Sequence, residues 1–193
     1  MIEMMVRNEK MIIQEIFERG YQHAAKSFSS LTGLEIKSGG LNIELGSNTE
    51  HLPDEMPVEK TFTLLSTKLF GDAKGESILI LNERERRLIS AQNLSISGTS
   101  VSIGETSFLL ELANIVSASV TTEVSDELDL NIYGGVPSLL EINDGNRLRN
   151  YLHRDQLTLF IKGYFDIEGY KEVKPAFVFR MSEEILEMAG RTN

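Results

Sequence analysis

A carboxylate and a carboxamide, Glu111 and Asn114, stand three residues apart in a segment whose apolar residues recur with the period of a helix. At this spacing their side chains project as neighbours from one face. A carboxylate pairs with a cation, and a carboxamide both donates to and accepts from water without adding charge. The pair therefore has the groups needed to dock a cationic partner and to orient a water molecule.

The rest of that helix face is unusual because its side chains are short. Solvated helix faces are normally rich in Lys, Glu and Arg. Short side chains let another surface approach, and only the carboxylate and the carboxamide are then long enough to reach into it. The apolar face opposite is formed by Phe108, Leu109, Leu112, Ile115, Val116 and Val120, and the short residues beside the pair are Ser107, Ala118, Thr121 and Ser125. An isolated Glu-x-x-Asn pair is usually just a solvated surface, so the interpretation needs further support.

A longer pattern includes the pair: Ser107, Glu111, Asn114 and Pro137 follow the spacing Ser-x3-Glu-x2-Asn-x22-Pro. This pattern resembles the signature of the CheC/CheX/FliY family of chemotaxis phosphatases, whose first position is Asp or Ser. The resemblance implies an enzyme that hydrolyses the aspartyl phosphate of a CheY-like response regulator. It also implies that the regulator supplies its own Mg²⁺, so the chain is expected to carry no cofactor and no metal site.

The resemblance assigns roles to the four signature residues. Asn114 would hold the attacking water in line with the phosphorus. Glu111 would pair with the lysine that such regulators keep beside their phosphate. Ser107 would orient Glu111 or line the contact, while Pro137 would line it or simply end strand pairing at an edge or bend. The predicted docking residues beside the catalytic pair are Ser107, Ala118, Thr121 and Pro137.

An internal repeat supports the resemblance, because the order helix, strand, strand, strand, helix occurs twice. The alignment places Glu15 on Glu111 at an offset of 96, Phe70 on Phe165 at 95 and Glu85 on Glu183 at 98. The predicted fold is α/β of the α+β type, with two long helices packed over an antiparallel sheet about a pseudo-twofold axis. We predict a single CheC-like domain over residues 1–193, with repeat halves at about 8–91 and 105–190.

The turn residues and the apolar periods predict the individual elements. The first half has a helix at 8–31, an interrupted strand at 34–45, a surface loop at 46–57, strands at 61–70 and 76–81, a helix at 83–91 and a connector at 95–104. The second half has a helix at 105–127, a strand at 129–141, a short helix at 144–152, strands at 156–165 and 172–180, and a helix at 182–190. The charged run at 83–87 is predicted to be an exposed helix face.

The first half gives an internal control for the site. At an offset of 96, the four signature positions fall on Met11, Glu15, Glu18 and Leu41, so only the first Glu is retained. A carboxylate in place of the carboxamide would face the phosphoryl group, and like-charge repulsion there costs several kcal/mol by order of magnitude. We therefore predict that Glu15 and Glu18 form a degenerate second site.

Composition excludes several other classes of function. The net charge of −10 disfavours nucleic acid as a partner. The chain has no cysteine, and its histidines, His23, His51 and His153, lie in three separate segments without ligand spacing. No apolar run is long enough to cross a bilayer and the first residues do not resemble a signal peptide, so no membrane insertion and a cytoplasmic location are expected by elimination.

A second class of function stays open from the sequence. A non-catalytic adaptor of the same fold would bind a response regulator, a receptor-modifying deamidase of the CheD type or a motor protein. The retained Glu111 and Asn114 favour the phosphatase over the adaptor. The resemblance covers both monomeric and dimeric proteins, so a homodimer is also open.

Overall fold

The structure, a computed structural model, describes residues 2–45, 61–96, 104–154, 157 and 159–191. The predicted loop at 46–57 and most of the predicted connector at 95–104 lie outside these ranges. Among the helices in the described ranges, none combines the length and the apolar character that crossing a membrane requires.

Five helices and eight strands lie within the described ranges, and they follow the predicted order. The helices are α1 (Ile2–Thr32), α2 (Glu83–Ile96), α3 (Glu105–Leu128), α4 (Gly145–Leu152) and α5 (Glu184–Arg191). The strands are β1 (Ile36–Ser38), β2 (Asn42–Leu45), β3 (Phe62–Gly71), β4 (Gly75–Asn82), β5 (Ile132–Gly134), β6 (Ser138–Ile142), β7 (Leu159–Ile167) and β8 (Ala176–Met181). The predicted strands at 34–45 and 129–141 are each two short strands, broken near a Gly-Gly pair.

The strands form one antiparallel sheet in which the two halves exchange their edges. Its order is β1-β7-β8-β4-β3-β5, with β2 also on β7 and β6 also on β3. The short strands β1 and β2 of the first half thus pair with the long strand β7 of the second half. In the same way, the short strands β5 and β6 of the second half pair with the long strand β3 of the first half. The halves meet at the centre, where β4 pairs with β8. The predicted fold class, with its antiparallel sheet and its duplication, is confirmed.

The strand register corrects two of the three predicted offsets. Leu65 pairs with Leu139 and Ile161 pairs with Ile43, so β2 and β3 have the same offset to their equivalents. That offset is 96 and not 95, because Leu65 and Leu69 then match Ile161 and Phe165, which belong to the same core cluster. A shift of one residue moves a side chain to the other face of a sheet. Phe70 accordingly lies on an exposed surface, whereas Phe165 lies in the core.

The second correction concerns β4 and α2. Leu65 pairs with Leu79 and Ile161 pairs with Phe179, which sets the offset at 100 and not 98. Counted between equivalent paired positions, the chain from β7 to β8 has four residues more than the chain from β3 to β4, and this accounts for the change from 96 to 100. With this register, the buried Glu85 and Ile89 of α2 correspond to the buried Ile185 and Ala189 of α5.

Helices α1 and α3 lie antiparallel across one face of the sheet and cross at Gly20. A Cβ atom at Gly20 would lie 3.0 Å from Cγ1 and 3.2 Å from Cα of Val120, so the absence of a side chain permits the close approach. Ser27 and Ser119 share a hydrogen bond of 2.9 Å between their hydroxyls.

Two contacts across this pair of helices are related by the repeat. His23 Nδ1 lies 3.2 Å from Glu123 Oε2. At the offset of 96, His23 corresponds to Ser119 and Glu123 corresponds to Ser27, so the His23–Glu123 contact is the counterpart of the Ser27–Ser119 contact. The two long helices are therefore pseudo-equivalent partners about a twofold axis, as predicted.

The opposite face of the sheet is covered at its centre by α4. Leu148 and Leu152 are buried there against a smaller apolar cluster. Beside it, the buried Glu76 carboxylate accepts hydrogen bonds from Ser66, from Arg154 at 2.8 Å and from Arg180 at 2.9 Å. Arg154 follows α4, and so this charge network helps to hold α4 on the sheet. The apolar members of the cluster are Phe62, Leu64, Ile78, Ile80, Ile142, Phe160 and Val178.

Candidate functional site

Helix α3 presents most of the predicted site residues on one exposed line. Its apolar side chains, among them Phe108, Leu112 and Val116, are buried against the sheet as their period predicted. That packing fixes the rotation of the helix. The residues turned to solvent at successive turns are Ser107, Glu111, Asn114 and Ala118.

Glu111 and Asn114 are both exposed, as a pair that must reach a partner requires. Within the part of the chain that the structure describes, neither side chain makes a hydrogen bond or an ion pair. Their donors and acceptors are thus available to another molecule.

Thr121 does not belong to the exposed line, and its placement there was wrong. The residue is 6% exposed, and its hydroxyl donates to the carbonyl oxygen of Ser117 at 2.8 Å. The exposed line advances from Ala118 by four residues to Thr122, while Thr121 turns toward the packed side. Ser125 is also tied inward, because its hydroxyl donates to the carbonyl oxygen of Ile132 at 3.3 Å.

Pro137 lies outside α3, in the break between β5 and β6. It is half-buried there and precedes the first residue of β6. A residue without an N–H group suits a point where strand pairing stops. The geometry therefore supports the structural interpretation of Pro137.

The first-half residues occupy the equivalent positions on α1. Glu15 and Glu18 are exposed, and Glu18 accepts a hydrogen bond of 3.0 Å from the side chain of Gln14. Because α1 and α3 are antiparallel, the two pairs lie toward opposite ends of the helix layer. Met11 is exposed and Leu41 is half-buried, so the first half has two exposed carboxylates and an apolar residue at each of the other two signature positions.

The start of α3 shows a feature that the sequence did not predict. Its N-cap residue is Gly104, and no side chain caps the helix there. Glu105, the first residue of α3, instead accepts from Arg86 Nε at 2.8 Å and from Ser90 Oγ at 3.1 Å. Arg86 also reaches β6, where its Nη1 donates to Glu141 Oε1 at 2.6 Å.

These charges influence one another, and they correct the interpretation of the run at 83–87. The hydrogen bond from Arg86 lowers the pKa of Glu105, and the hydrogen bond to Glu105 raises the pKa of Arg86. The Arg86 side chain is 27% exposed and Glu85 is buried, so these two residues do not belong to an exposed face. The three segments involved are distant in sequence, and no local pattern in them indicates the contact.

The described residues contain no group of three or more His, Asp or Glu side chains arranged to hold a metal ion. His23 contacts Glu123, and the ring centroid of His153 lies 5.1 Å from that of Phe160. These two histidines therefore have packing or ion-pair partners in separate parts of the fold. His51 lies outside the described residues.

The chain matches no protein-family model and no curated protein sequence. Among solved structures, FliY of Thermotoga maritima is 18% identical, with a TM-score of 0.66 over 96% of this chain and 95% of that one. The FliM middle domain from H. pylori is 12% identical, with a TM-score of 0.57 over 96% and 98%. CheX in a CheX–CheY–BeF3–Mg²⁺ complex from Borrelia burgdorferi is 9% identical, with a TM-score of 0.54 over 86% and 97%. The resemblance carried by the sequence motif is thus confirmed at the level of structure, and the chain has the fold of the CheC/CheX/FliY proteins.

Proposed function

We propose that this protein hydrolyses the aspartyl phosphate of a CheY-like response regulator. The observation that carries the proposal is the exposed, unbonded pair of Glu111 and Asn114 on a line of otherwise short side chains. The similarity to a CheX solved together with CheY supports a response regulator as the partner.

The chemistry needs little from the phosphatase, because an acyl phosphate is already activated and the regulator holds the Mg²⁺. Asn114 accepts a hydrogen bond from the attacking water and places it in line with the phosphorus. The water oxygen forms a bond to phosphorus while the bond from phosphorus to the aspartyl oxygen breaks. The products are inorganic phosphate, which keeps the proton released by the water, and the free aspartate carboxylate.

Glu111 acts earlier, when the two proteins dock. Its carboxylate accepts hydrogen bonds from the lysine beside the regulator's phosphate, and a charge-assisted contact of this kind fixes the register of docking. Ser107 and Ala118 are short enough for the regulator to approach α3 closely. Glu111 thus contributes to the ground-state complex as well as to the transition state, and Asn114 contributes mainly to the transition state.

The second candidate is a non-catalytic adaptor of the same fold. Its support is the similarity to the FliM middle domain, which is as close as the similarity to CheX. Such an adaptor would bind a response regulator, a CheD-like deamidase or a motor protein through the same exposed surface. Self-association into a homodimer is compatible with either function.

Incubation with a panel of phosphorylated response regulators from the same cell tests both candidates. We expect at least one regulator to lose phosphate faster with the protein than alone, at substoichiometric amounts of the protein. Binding is measured separately with regulators that carry a stable phosphate mimic. Binding without faster phosphate loss supports the adaptor, and the absence of both contradicts the two candidates together.

A further inference from the structure

We propose that Arg86 is a positioning residue for this site, which holds the first turns of α3 in the conformation that docks on the partner. The inference rests on the proposed function, since it concerns how the same helix is presented. Arg86 lies on α2 and touches none of the four signature residues. It acts through Glu105, which lies two residues before Ser107 and six before Glu111.

The start of α3 needs such a contact because it lacks the usual one. The first four N–H groups of a helix have no partner within the helix, and a capping side chain normally binds one of them. Gly104 has no side chain to do this. An uncapped helix end frays, and fraying here would involve the turns that carry Ser107 and Glu111.

Arg86 is itself well anchored. The first turn of α2 is fixed by reciprocal hydrogen bonds between Asn82 and Glu85, of 2.7 and 3.0 Å, in the manner of a capping box. Glu85 also accepts from the backbone N–H of Lys174 at 3.0 Å, and Ile89 is fully buried one turn later. The guanidinium next to this anchor therefore extends from a rigid base.

The guanidinium connects three elements at once. Its Nε donates to Glu105 on α3 and its Nη1 donates to Glu141 on β6. The fork of an arginine suits two acceptors in fixed directions, which a lysine ammonium cannot match in geometry. The first turn of α3 is thus tied both to α2 and to the edge of the sheet.

The other half of the molecule lacks this tie. By the observed register, Arg86 corresponds to Leu186 and Glu141 corresponds to Leu45, so neither the cation nor its second acceptor is present. Glu9, the counterpart of Glu105, lies against Gly190. In α1 this position lies inside the helix, which begins at Ile2, so no helix end has to be held there and the contact is not formed. It occurs only where the Glu/Asn pair is retained.

Arg86 is partly buried, but its partners Glu105 and Glu141 are about half exposed. Ion pairs that water reaches in this way contribute little to overall stability, so the loss of this one should act locally. A helix end that is ordered for only a fraction of the time binds its partner with an affinity reduced by that fraction. Docking then restores the order, and the chemical step proceeds normally. The expected signature is a raised KM with an unchanged kcat, the reverse of what loss of Asn114 should produce.

The test is the variant Arg86→Leu, which introduces the residue found at the equivalent position of the second half, Leu186. We expect KM for the phosphorylated regulator to rise about fivefold and kcat to stay within about twofold. Amide hydrogen exchange should become faster in residues 105–114 and stay unchanged in residues 120–128. The matched control is Arg84→Leu on the same helix, whose ion pair with Glu172 is exposed and does not involve α3. This control variant should leave KM, kcat and the exchange of residues 105–114 unchanged.

A second variant separates positioning from a general loss of structure. Gly104→Ser supplies the missing N-cap side chain, and in the Arg86→Leu background it should return KM and the exchange of residues 105–114 toward the wild-type values. Unchanged exchange in Arg86→Leu, or faster exchange over the whole of α3 and the sheet, would overturn the proposal, as would locally faster exchange with an unchanged KM. If wild type hydrolyses no regulator, the proposed function fails, and faster exchange confined to residues 105–114 still supports Arg86 as the residue that holds α3.

Discussion

Helices α1 and α3 occupy equivalent places in the fold, yet only α3 carries the Glu/Asn pair. Both helices pack an apolar side on the same sheet, and contacts at equivalent positions join them across the crossing. Their exposed sides differ at Asn114 and Glu18, which correspond by the repeat. A side chain buried in the core is fixed by packing in both halves, whereas an exposed side chain changes at little cost in stability. A duplicated fold can therefore keep its architecture while one of its two surfaces loses its chemistry.

The largest expected effect is that of Asn114→Ala, which should remove the activity of α3 and leave it as inactive as α1. We expect the rate of phosphate loss to fall by two or more orders of magnitude, about 3 kcal/mol, because the carboxamide acts mainly in the transition state. Affinity for a regulator carrying a stable phosphate mimic should change little. Single-turnover dephosphorylation of a labelled regulator measures the rate. Equal rates in wild type and variant would exclude the mechanism and leave the adaptor.

The next effect concerns the crossing that relates the two helices. Gly20→Val places a side chain where Val120 already lies at contact distance, and overpacking of this kind costs about 2 kcal/mol of the free energy of unfolding. Urea denaturation measures the loss. The control is Gly104→Ser, where nothing lies within 4 Å of an added Cβ and stability should change by only a few tenths of a kcal/mol. A Gly20→Val protein as stable as wild type would show that the helices are free to move apart.

Glu111→Ala should weaken docking and hydrolysis together. We expect affinity for the regulator with its phosphate mimic to fall about tenfold, about 1.4 kcal/mol, with a further decrease in the rate. Glu15→Ala and Glu18→Ala are the matched controls on α1, and each should change the rate by less than about threefold. Glu18→Asn alone should not create a second site, because Met11 and Leu41 differ as well. A large decrease in the rate in Glu15→Ala would mean that α1 also carries a functional site.

The smallest expected effect is a pH dependence of stability that arises from His153 in the second half. Burial, and then the charges of Lys162, Arg180 and Arg149, lower the pKa of His153, which follows α4. The unfolded chain then binds a proton more readily than the folded one, so stability should fall as pH drops below about 6.5 toward the lowered pKa. We expect wild type to lose about 1–2 °C more of its melting temperature than His153→Gln between pH 7.5 and 5.5. Parallel losses in the two proteins would contradict this assignment.

Patterns local to one segment predicted most of the fold and the exposure of the candidate pair. The apolar period of α3 placed Phe108, Leu112 and Val116 in the core and left Glu111 and Asn114 exposed. Thr121 was misplaced because an exposed line on a packed helix is narrower than half of its circumference.

The features that sequence did not predict depend on contacts between distant segments. Arg86, Glu105 and Glu141 come together only when α2, α3 and β6 assemble, and the run at 83–87 looks like any solvated helix face. The buried pair of Glu76 and Arg180 likewise forms between the central strands. The offset of 98 failed because the alignment could not locate the additional residues between β7 and β8. The offset of 95 failed because it matched Phe70 with Phe165, which stand one position out of register.

The exchange of edge strands between the halves has a consequence for how the chain folds. Strands β1 and β2 find their partner only in β7, more than a hundred residues later, and the central strand β4 pairs with β8 near the end of the described chain. Topologies dominated by such distant pairings have high contact order and fold slowly. During synthesis, the first half leaves the ribosome with strand edges that nothing yet covers, which is the condition that favours aggregation. These edges stay unpaired until β7 and β8 have been synthesised.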